Sequence, residues 1–410
     1  MLPSRTKILL SAGEASGDIY AAALARVLQA RHPDWDLFGC PGPRMTQAGV
    51  RAVMNQSKLH VVGLVEVITH IPGIWREFRK LVAAARQEKP AVAVLTDSPD
   101  FHLRVARKLH GANIPVVYLV APQAWAWREG RVKAMRRHLN HLLCIFPFEE
   151  AWFRQRGVNT TYIGHPLARE IKPKLDRAAF RQKHGLHPDR PLVALLPGSR
   201  PGEIRRHLPA VFEAVHRLAD TGAQFALGTV PGTGLATGPA TGPGHGPPTG
   251  SGHAPGSSPD TDPRIFVNQM PPASIQVIVG ETWDLLNAAD AALAASGTVT
   301  MEAALLGTPM VTFYRVNDWS WRAGRWLVRT PFFTMVNLVA ERKVVPEFMQ
   351  NEATGERLAA EMRLLLTDSS RRDQMRADLA EVAARLRTAH DPIELAADIV
   401  EKVVLSTHHA

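Results

Sequence analysis

Residues 91–101 have the sequence AVAVLTDSPDF, a short apolar run that ends at an aspartate and a proline. A β-branched and apolar run of this length predicts a strand over residues 91–96, and Pro99 predicts that the chain turns there. Asp97 is thereby placed at the carboxyl end of a strand. In open α/β sheets, catalytic groups collect at this position.

Similar apolar runs recur along both halves of the chain, with amphipathic stretches such as residues 20–31 between them. The further predicted strands are residues 7–10, 116–120, 142–146, 192–196, 224–227, 291–294 and 310–314. Strands that alternate with helices form βαβ units with a parallel sheet. We therefore predict an α/β fold of two Rossmann-like domains that face each other across a cleft, with ligands at the carboxyl ends of their strands.

A polar, proline-bearing junction near residues 166–191 separates the two halves. We place the first domain at residues 1–168, the second at 169–390, and a helical tail at 391–410 that packs across the cleft. Residues 229–263 are rich in glycine, proline, threonine and serine. Because such a tract has little apolar surface to bury, we predict that it is a disordered insertion in the second domain.

Composition narrows the class of protein. The 410 residues are 45% hydrophobic and 21% charged, which is typical of a globular chain of two domains, and we find no apolar run long enough to span a membrane. The amino-terminal sequence does not fit a signal peptide, so we expect a cytoplasmic protein. Cys40 and Cys144 are too far apart in sequence to indicate a disulfide framework or a cysteine metal site. The net charge of +10 favours anionic partners, which include phosphorylated substrates, anionic lipid and nucleic acid.

The second half carries two loops suited to phosphate. The sequence LPGSR at residues 196–200 follows a predicted strand, and the Arg200 guanidinium can grip a phosphate with two hydrogen bonds. The second loop, in AASGTVTMEA at residues 294–303, places Ser296, Gly297 and Thr298 at the amino end of a predicted helix, where backbone N–H groups bind anions.

Glu302 lies four residues after Thr298, about one helical turn further on. A carboxylate there can accept hydrogen bonds from both ribose hydroxyls. Together with the two phosphate loops, it predicts a nucleoside diphosphate donor site in the second domain.

Asp97 is the candidate general base of the first domain, since a sugar hydroxyl must lose its proton as it attacks an anomeric carbon. Asp100 is the alternative, although it can instead cap the helix that follows Pro99.

Other chemistries find little support in the sequence. It contains no GxxxxGK[ST] loop, no GxGxxG after the first strand and no GxSxG elbow, which argues against an ATPase, a dehydrogenase and a serine hydrolase. The pattern DxD occurs at residues 34–36 and again at 260–262, inside the low-complexity tract, so the match is weak. We predict no required metal and no cofactor.

Two stretches mix aromatic, apolar and basic residues. They are residues 59–86 and the sequence WSWRAGRWLVR at residues 319–329. This mixture suits the headgroup zone of a membrane, although a core helix with a solvated basic face has the same composition. Nucleic acid is not expected, because no nucleic-acid-binding motif accompanies these residues.

Several short motifs, in this order along nearly the whole chain, resemble the lipid A disaccharide synthase family. They are GEASGD at 13–18, GPRM at 42–45, DSPDF at 97–101, WAWR at 125–128, PFE at 147–149, IGHP at 163–166, LPGSR at 196–200, SGT at 296–298 and NL at 337–338. The insertion at 229–263 departs from the family pattern.

The resemblance implies a GT-B hexosyltransferase that inverts the anomeric centre without a metal. It would join a UDP-2,3-diacylglucosamine donor to a 2,3-diacylglucosamine 1-phosphate acceptor, as a peripheral protein on the inner face of the inner membrane. The implied base is Asp97. The implied UDP ligands are Arg200, Ser296, Gly297, Thr298, Glu302 and Asn337.

The sequence leaves two alternatives open. One is another GT-B enzyme acting on UDP-N-acetylglucosamine, either a peptidoglycan transferase or an epimerase. The other is a non-catalytic protein that binds a membrane surface.

Overall fold

A computed structural model of the chain describes residues 5–54, 64–230, 275–317, 321 and 330–408. These residues divide into two compact units, of which the first comprises 5–170 with 385–408 and the second comprises 171–384. From residue 231 onward, the insertion that we predicted to be disordered lies outside the described residues. The same holds for residues 59–63 and for all of the 319–329 segment except Trp321.

The first unit is built on a sheet of seven strands. They are β1 (Lys7–Ala12), β2 (Asp36–Cys40), β3 (Arg51–Ala52), β4 (Val92–Thr96), β5 (Val116–Leu119), β6 (His141–Cys144) and β7 (Thr160–Tyr162). The strand order is β3-β2-β1-β4-β5-β6-β7, and every pair is parallel.

The second unit is built on a sheet of six strands. They are β8 (Leu192–Leu196), β9 (Gln224–Thr229), β10 (Ile275–Val279), β11 (Ala291–Ala295), β12 (Met310–Tyr314) and β13 (Glu347–Met349). The order is β10-β9-β8-β11-β12-β13, again with parallel pairs throughout. Two parallel sheets connected through helices confirm the predicted α/β class.

The helices follow the strands along the chain. Those before residue 171 are α1 (Ala15–Arg31), α2 (Pro43–Gln47), α3 (Leu64–Glu88), α4 (Pro99–His110), α5 (Ala124–Trp127), α6 (Arg131–His138), α7 (Pro147–Arg154) and α8 (Leu167–Glu170). After it come α9 (Arg177–Lys183), α10 (Pro201–Arg217), α11 (Thr282–Ala288), α12 (Thr298–Leu305), α13 (Met335–Ala340), α14 (Gly355–Thr367), α15 (Ser369–Leu386) and α16 (Pro392–His408).

One face of the first sheet is covered by α3, α4 and α6. Their apolar side chains, among them Leu81, Leu109 and Met135, join inward-facing strand residues such as Leu95 and Tyr118 in one buried core. In this layer α4 packs against both α3 and α6, and the outer sides of these helices face solvent.

The chain returns to the first unit with α16, which packs on α1. Ala397 and Val400 of α16 are fully buried. Arg31, in the last turn of α1, donates hydrogen bonds to Asp398 at 2.7 Å and Glu401 at 3.1 Å, and it also pairs with Glu394. The first unit is therefore completed by residues distant in sequence.

Each sheet contains a point at which the strand order reverses, between β1 and β4 in the first unit and between β8 and β11 in the second. The register pairs Ala12 with Thr96 and Leu196 with Ala294. The loops that follow these strands therefore meet at the carboxyl edge of each sheet. Ligands of open α/β sheets bind at such reversals.

Every predicted strand matches the structure to within two residues, and the strand predicted at 142–146 is formed by His141–Cys144. Phe146 instead occupies the cap position of α7, whose first residue is Pro147. Proline is well tolerated at the first position of a helix, where its missing N–H has no partner to lose.

Candidate functional site

Asp97 directly follows β4, and backbone amides at the start of α1 bind its carboxylate. Its Oδ1 accepts a hydrogen bond from the N–H of Gly13 at 2.7 Å, and its Oδ2 accepts one from the N–H of Glu14 at 3.0 Å. Because β1 and β4 are neighbours, the loop after β1 reaches the end of β4. The amino end of α1 carries partial positive charge that stabilises a carboxylate. The Asp97 side chain is therefore held in one orientation.

Buried side chains also fix the backbone of this turn. Asp97 and Ser98 have φ of 56° and 37°, in the left-handed region. The carbonyl oxygen of Asp97 accepts a hydrogen bond from the Tyr118 hydroxyl and lies 2.9 Å from Nδ1 of His102. Non-glycine residues in this region carry strain that the surrounding structure must hold, and they cluster at functional sites. The sequence does not reveal these two supporting residues, because no local pattern marks them as partners of Asp97.

Gly17, on α1, allows the close approach of the helix to Asp97. A Cβ at position 17 would lie 1.7 Å from Oδ2 of Asp97 and 3.0 Å from Cγ2 of Thr96. Real side chains never approach this closely, so any larger residue would displace the carboxylate. This contact gives a structural reason for the second glycine of the GEASGD motif, which the motif alone does not provide.

The protonation of this group of residues suits acid–base chemistry. Burial raises the pKa of Asp97 to about 7, and the amide hydrogen bonds from Glu14 and Gly13 oppose the rise. Burial lowers the pKa of His102 to about 4, so its ring is neutral near pH 7. Its Nδ1–H then donates to the Asp97 carbonyl, and its Nε2, 2.8 Å from Oγ of Ser11, accepts the serine hydroxyl. A carboxyl group with a pKa near 7 is well matched to taking a proton near neutral pH.

Asp100, the alternative base, lies on the surface. Its side chain is 66% exposed, and both of its oxygens accept hydrogen bonds from Arg128, at 2.8 and 2.9 Å. Arg131 approaches the same carboxylate at 2.8 Å. The cap position of α4 is Ser98, so Asp100 stands in the first turn instead. An exposed carboxylate paired with two arginines is less suited than Asp97 to proton abstraction.

The predicted donor residues of the second unit line a cavity of about 380 Å³ at the β8/β11 reversal. The structure brings together Arg200, Ser296, Gly297, Thr298 and Glu302. The cap position of α12 is Gly297, and no side chain caps this helix. Its first N–H groups therefore lack an intrahelical partner and are available to an anion.

Arg200 leads into α10 and extends into solvent, with its side chain 69% exposed. Its Nη1 lies 3.4 Å from Oε1 of Glu203, and the same oxygen accepts a hydrogen bond from the Tyr314 hydroxyl at 2.9 Å. Gly198 has φ of 118°, a conformation that favours glycine, and this lets the loop turn above Glu203. Tyr314 and Glu203 both line the cavity, and only the order of the strands brings Tyr314 there.

Glu302 is half-buried in the wall of the same cavity. Burial raises the pKa of its carboxyl group, and a hydrogen bond with the Trp283 side chain opposes the rise. Trp283 lies on α11 and was not predicted to contribute. It orients the carboxylate that we expected to accept ribose hydroxyls.

Asn337 does not join this group. Its side chain is fully buried, its Oδ1 accepts hydrogen bonds from the N–H groups of Val344 and Val345, and its Nδ2 donates to the Val345 carbonyl. These bonds occupy the amide in holding the chain after α13. The structure gives Asn337 a supporting position and does not place it among the residues that line the cavity.

Among the described residues, no helix is both long enough and apolar enough to cross a membrane. Trp75, in the aromatic and basic stretch 59–86, is 51% exposed and stacks on Phe78 with ring centroids 5.0 Å apart.

Comparison with known proteins identifies the family. A sequence model of lipid-A-disaccharide synthetase matches residues 8–229 and 257–399. A lipid-A-disaccharide synthase of Solibacter usitatus (strain Ellin6076) is 53% identical over 381 residues, which cover 93% of each chain. The chain belongs to the lipid-A-disaccharide synthase family. It is therefore a glycosyltransferase of lipid A biosynthesis, which confirms the resemblance seen in the sequence motifs.

Solved structures confirm the GT-B fold class. The glycosyltransferase of kitacinnamycin superposes with a TM-score of 0.60 at 16% identity, covering 98% of this chain and 100% of that one. A UDP-GlcNAc 2-epimerase from Neisseria meningitidis, bound to UDP-GlcNAc, superposes with a TM-score of 0.58 at 11% identity, covering 98% and 100%. Because transferases and epimerases share the fold, membership of the lipid-A-disaccharide synthase family, and not the fold, separates this chain from the epimerases.

Proposed function

We propose that the chain transfers 2,3-diacylglucosamine from UDP to the 6-hydroxyl of 2,3-diacylglucosamine 1-phosphate. The acceptor oxygen forms a bond to the anomeric carbon, the bond from that carbon to the diphosphate breaks, and UDP leaves with the electron pair. Attack from the opposite face inverts the anomeric centre, so the product is a β-1',6-linked disaccharide 1-phosphate. Family membership and the position of Asp97 support this assignment.

The direct test is product formation. Purified protein is incubated with radiolabelled diacylglucosamine 1-phosphate and either UDP-diacylglucosamine or UDP-N-acetylglucosamine. We expect a labelled disaccharide with the acylated donor. Epimerised sugar nucleotide without a disaccharide would contradict the proposal.

Asp97 takes the proton of the acceptor hydroxyl in this reaction. The observation that carries the proposal is its half-buried carboxylate, fixed by two backbone amides at the β1/β4 reversal. With a pKa raised to about 7, the carboxylate form is available at neutral pH yet basic enough to accept a proton.

The pH dependence of the reaction should show this group. Since only the deprotonated Asp97 acts as a base, kcat/KM should fall about tenfold for each pH unit below the pKa and level off above it. The raised pKa places the bend near pH 7. Initial rates from about pH 5.5 to 9 locate the bend, and Asp100→Asn serves as the control with the same profile. A profile that is flat between about pH 6 and 8 would contradict the assignment.

The second unit binds the UDP portion of the donor. The N–H groups at the start of α12 and the Arg200 guanidinium face one cavity and suit a diphosphate, and the Glu302 carboxylate on its wall suits a ribose. The solved N. meningitidis epimerase of the same fold was crystallised with UDP-GlcNAc, which is consistent with a UDP-sugar donor here.

Single substitutions should weaken UDP binding. Arg200→Ala removes a charge-assisted contact and Glu302→Ala removes a charged acceptor, so we expect each to lower UDP affinity by about 10- to 150-fold. Titration calorimetry on the isolated variants measures this. The control is Arg205→Ala, which removes an exposed arginine of α10 that does not line the cavity. Unchanged affinity in both test variants would remove the donor site from this cavity.

The acyl chains of the substrates imply that the enzyme works at a membrane surface. We place it on the cytoplasmic face of the inner membrane as a peripheral protein. The basic net charge of the chain and its exposed Trp75 support a peripheral position.

A further inference from the structure

A basic groove on the first unit plays no part in the chemistry described above. It runs between α4 and α6, has a volume of about 710 Å³ and is larger than the donor cavity. Cations from both helices line it: Arg104, Arg107, Arg131, Lys133 and Arg137. The groove follows α4 for its 12 residues, a length of about 18 Å.

Four of these cations have no carboxylate partner. Within the part of the chain that the structure describes, no acidic group pairs with Arg104, Arg107, Lys133 or Arg137, and all four are exposed. The carboxylate that lines the groove, Asp100, is already paired with Arg128 and Arg131. Uncompensated like charges facing one groove repel each other, so an anionic ligand would stabilise them.

Two histidines line the groove beside these charges. The ring of His138 lies 5.3 Å from that of His110. Its pKa is lowered, first by burial and then by the nearby His110, Arg137 and Arg107. Its Nδ1 is buried and has no hydrogen-bond partner. Anionic oxygen atoms in the groove would offset the positive field that disfavours protonation of this ring.

An exposed indole stands beside the groove. Trp127 is 42% exposed, and the guanidinium groups of Arg128 and Arg131 lie over its ring at 4.5 and 5.2 Å. Arg131 also lines the groove, so the indole and the groove are contiguous. Aromatic rings beside cations favour the headgroup zone of a bilayer, where rings sit at the interface and cations meet phosphates.

We infer that the groove between α4 and α6 binds the phosphate groups of anionic membrane lipids and holds the first unit on the bilayer. This inference deepens the proposed function, on which it rests, because acylated substrates must be drawn from a membrane. The exposed Trp127 beside the groove favours lipid over nucleic acid, whose backbone offers no apolar surface.

Vesicle binding tests the inference. The full chain is co-sedimented with phosphatidylcholine vesicles that contain or lack phosphatidylglycerol, at low and high salt. The groove variant carries Arg104→Gln, Arg107→Gln, Lys133→Gln and Arg137→Gln. Since each cation near an anionic surface contributes about a factor of five, we expect its affinity for anionic vesicles to fall about 600-fold. Binding of the parent should also weaken at high salt.

A control variant removes the same charge elsewhere, through Arg26→Gln, Lys89→Gln, Lys172→Gln and Lys402→Gln, all exposed and outside the groove. It should keep most of the vesicle affinity. Equal losses of vesicle affinity in both variants would mean that net charge alone determines binding, and this would overturn the inference. A groove variant that binds vesicles as tightly as the parent would also overturn it. Binding to duplex DNA that depends on the groove residues, without binding to vesicles, would overturn the lipid assignment.

Further measurements on the groove variant distinguish a loss of lipid binding from a loss of folding or of catalysis. UDP affinity and the thermal unfolding midpoint of the groove variant should match those of the parent, and Arg107→Gln with Arg137→Gln replaces it if the fourfold variant does not fold. Turnover of detergent-dispersed substrates should be unchanged, because none of the four replaced side chains makes a hydrogen bond or ion pair with Asp97. A parent that makes no disaccharide under these conditions would contradict the proposed function whatever the vesicle result.

Discussion

Asp97→Asn is expected to lower kcat by about 10²- to 10⁴-fold, the usual contribution of a general base. Asparagine has nearly the same shape, and its oxygen can still accept the hydrogen bond of the Gly13 N–H, but its amide cannot take a proton from the acceptor. Single-turnover rates with a saturating donor measure the loss. UDP affinity, measured by calorimetry, should be unchanged because the donor cavity belongs to the second unit.

Asp100→Asn is the matched control for this substitution. It removes the same charge three residues further on, where the carboxylate is exposed and pairs with Arg128 and Arg131. We expect its kcat to stay within about twofold of the parent, since exposed ion pairs contribute little. Near-normal turnover in Asp97→Asn together with a large loss in Asp100→Asn would transfer the role of base to Asp100.

Gly17→Ala is expected to lower kcat by about 10²-fold or more, because catalytic groups displaced by about 1 Å lose rates of this size. The added methyl group would occupy space 1.7 Å from Oδ2 of Asp97, so the carboxylate must rotate away from the amides of Gly13 and Glu14. Alanine is otherwise the better helix former, and the loss therefore cannot come from helix propensity.

Gly130→Ala provides the comparison. A Cβ at position 130 would meet no atom within 4 Å, and its φ of −56° is open to any residue. Turnover in this variant should remain close to that of the parent. If Gly17→Ala also keeps normal turnover with an unchanged pH profile, the Asp97 carboxylate is not held in its catalytic position by this contact.

The strands that carry the site could be predicted from sequence because the signal is local. The apolar run before Asp97 forms β4, and the run before LPGSR forms β8, both almost as predicted. Glycine, serine and threonine after β11 likewise mark a turn into a helix. These features depend on a few adjacent residues, so one sequence is enough to reveal them.

Long-range neighbours could not be predicted in this way. The register that pairs Ala12 with Thr96 brings Gly17 against Asp97, and no pattern in the sequence states that register. Tyr118 and His102 support the turn from β5 and α4, and Trp283 reaches Glu302 from α11. Each of these contacts depends on strand order and helix packing.

For Asn337, the motif resemblance implied a ligand contact where the structure shows internal hydrogen bonds. The motif resemblance placed it among the ligands, yet its amide is occupied by the backbone of Val344 and Val345. A short motif can be retained for its internal hydrogen bonds as well as for contact with a ligand. The basic groove was likewise not visible in sequence, because Arg107 and Arg137 belong to separate helices that meet only after folding.

The position of α16 imposes an order on biosynthesis. Ala397 and Val400 are buried on α16, which packs on α1 and pairs three of its carboxylates with Arg31, but α16 is synthesised well after residues 5–170. At the usual elongation rate of about 5–20 residues per second, residues 5–170 wait about 10 to 50 s for this helix. During this interval the second unit can fold to completion while the apolar face of α1 stays uncovered. Nascent chains should therefore bind chaperones through α1 until α16 has been synthesised.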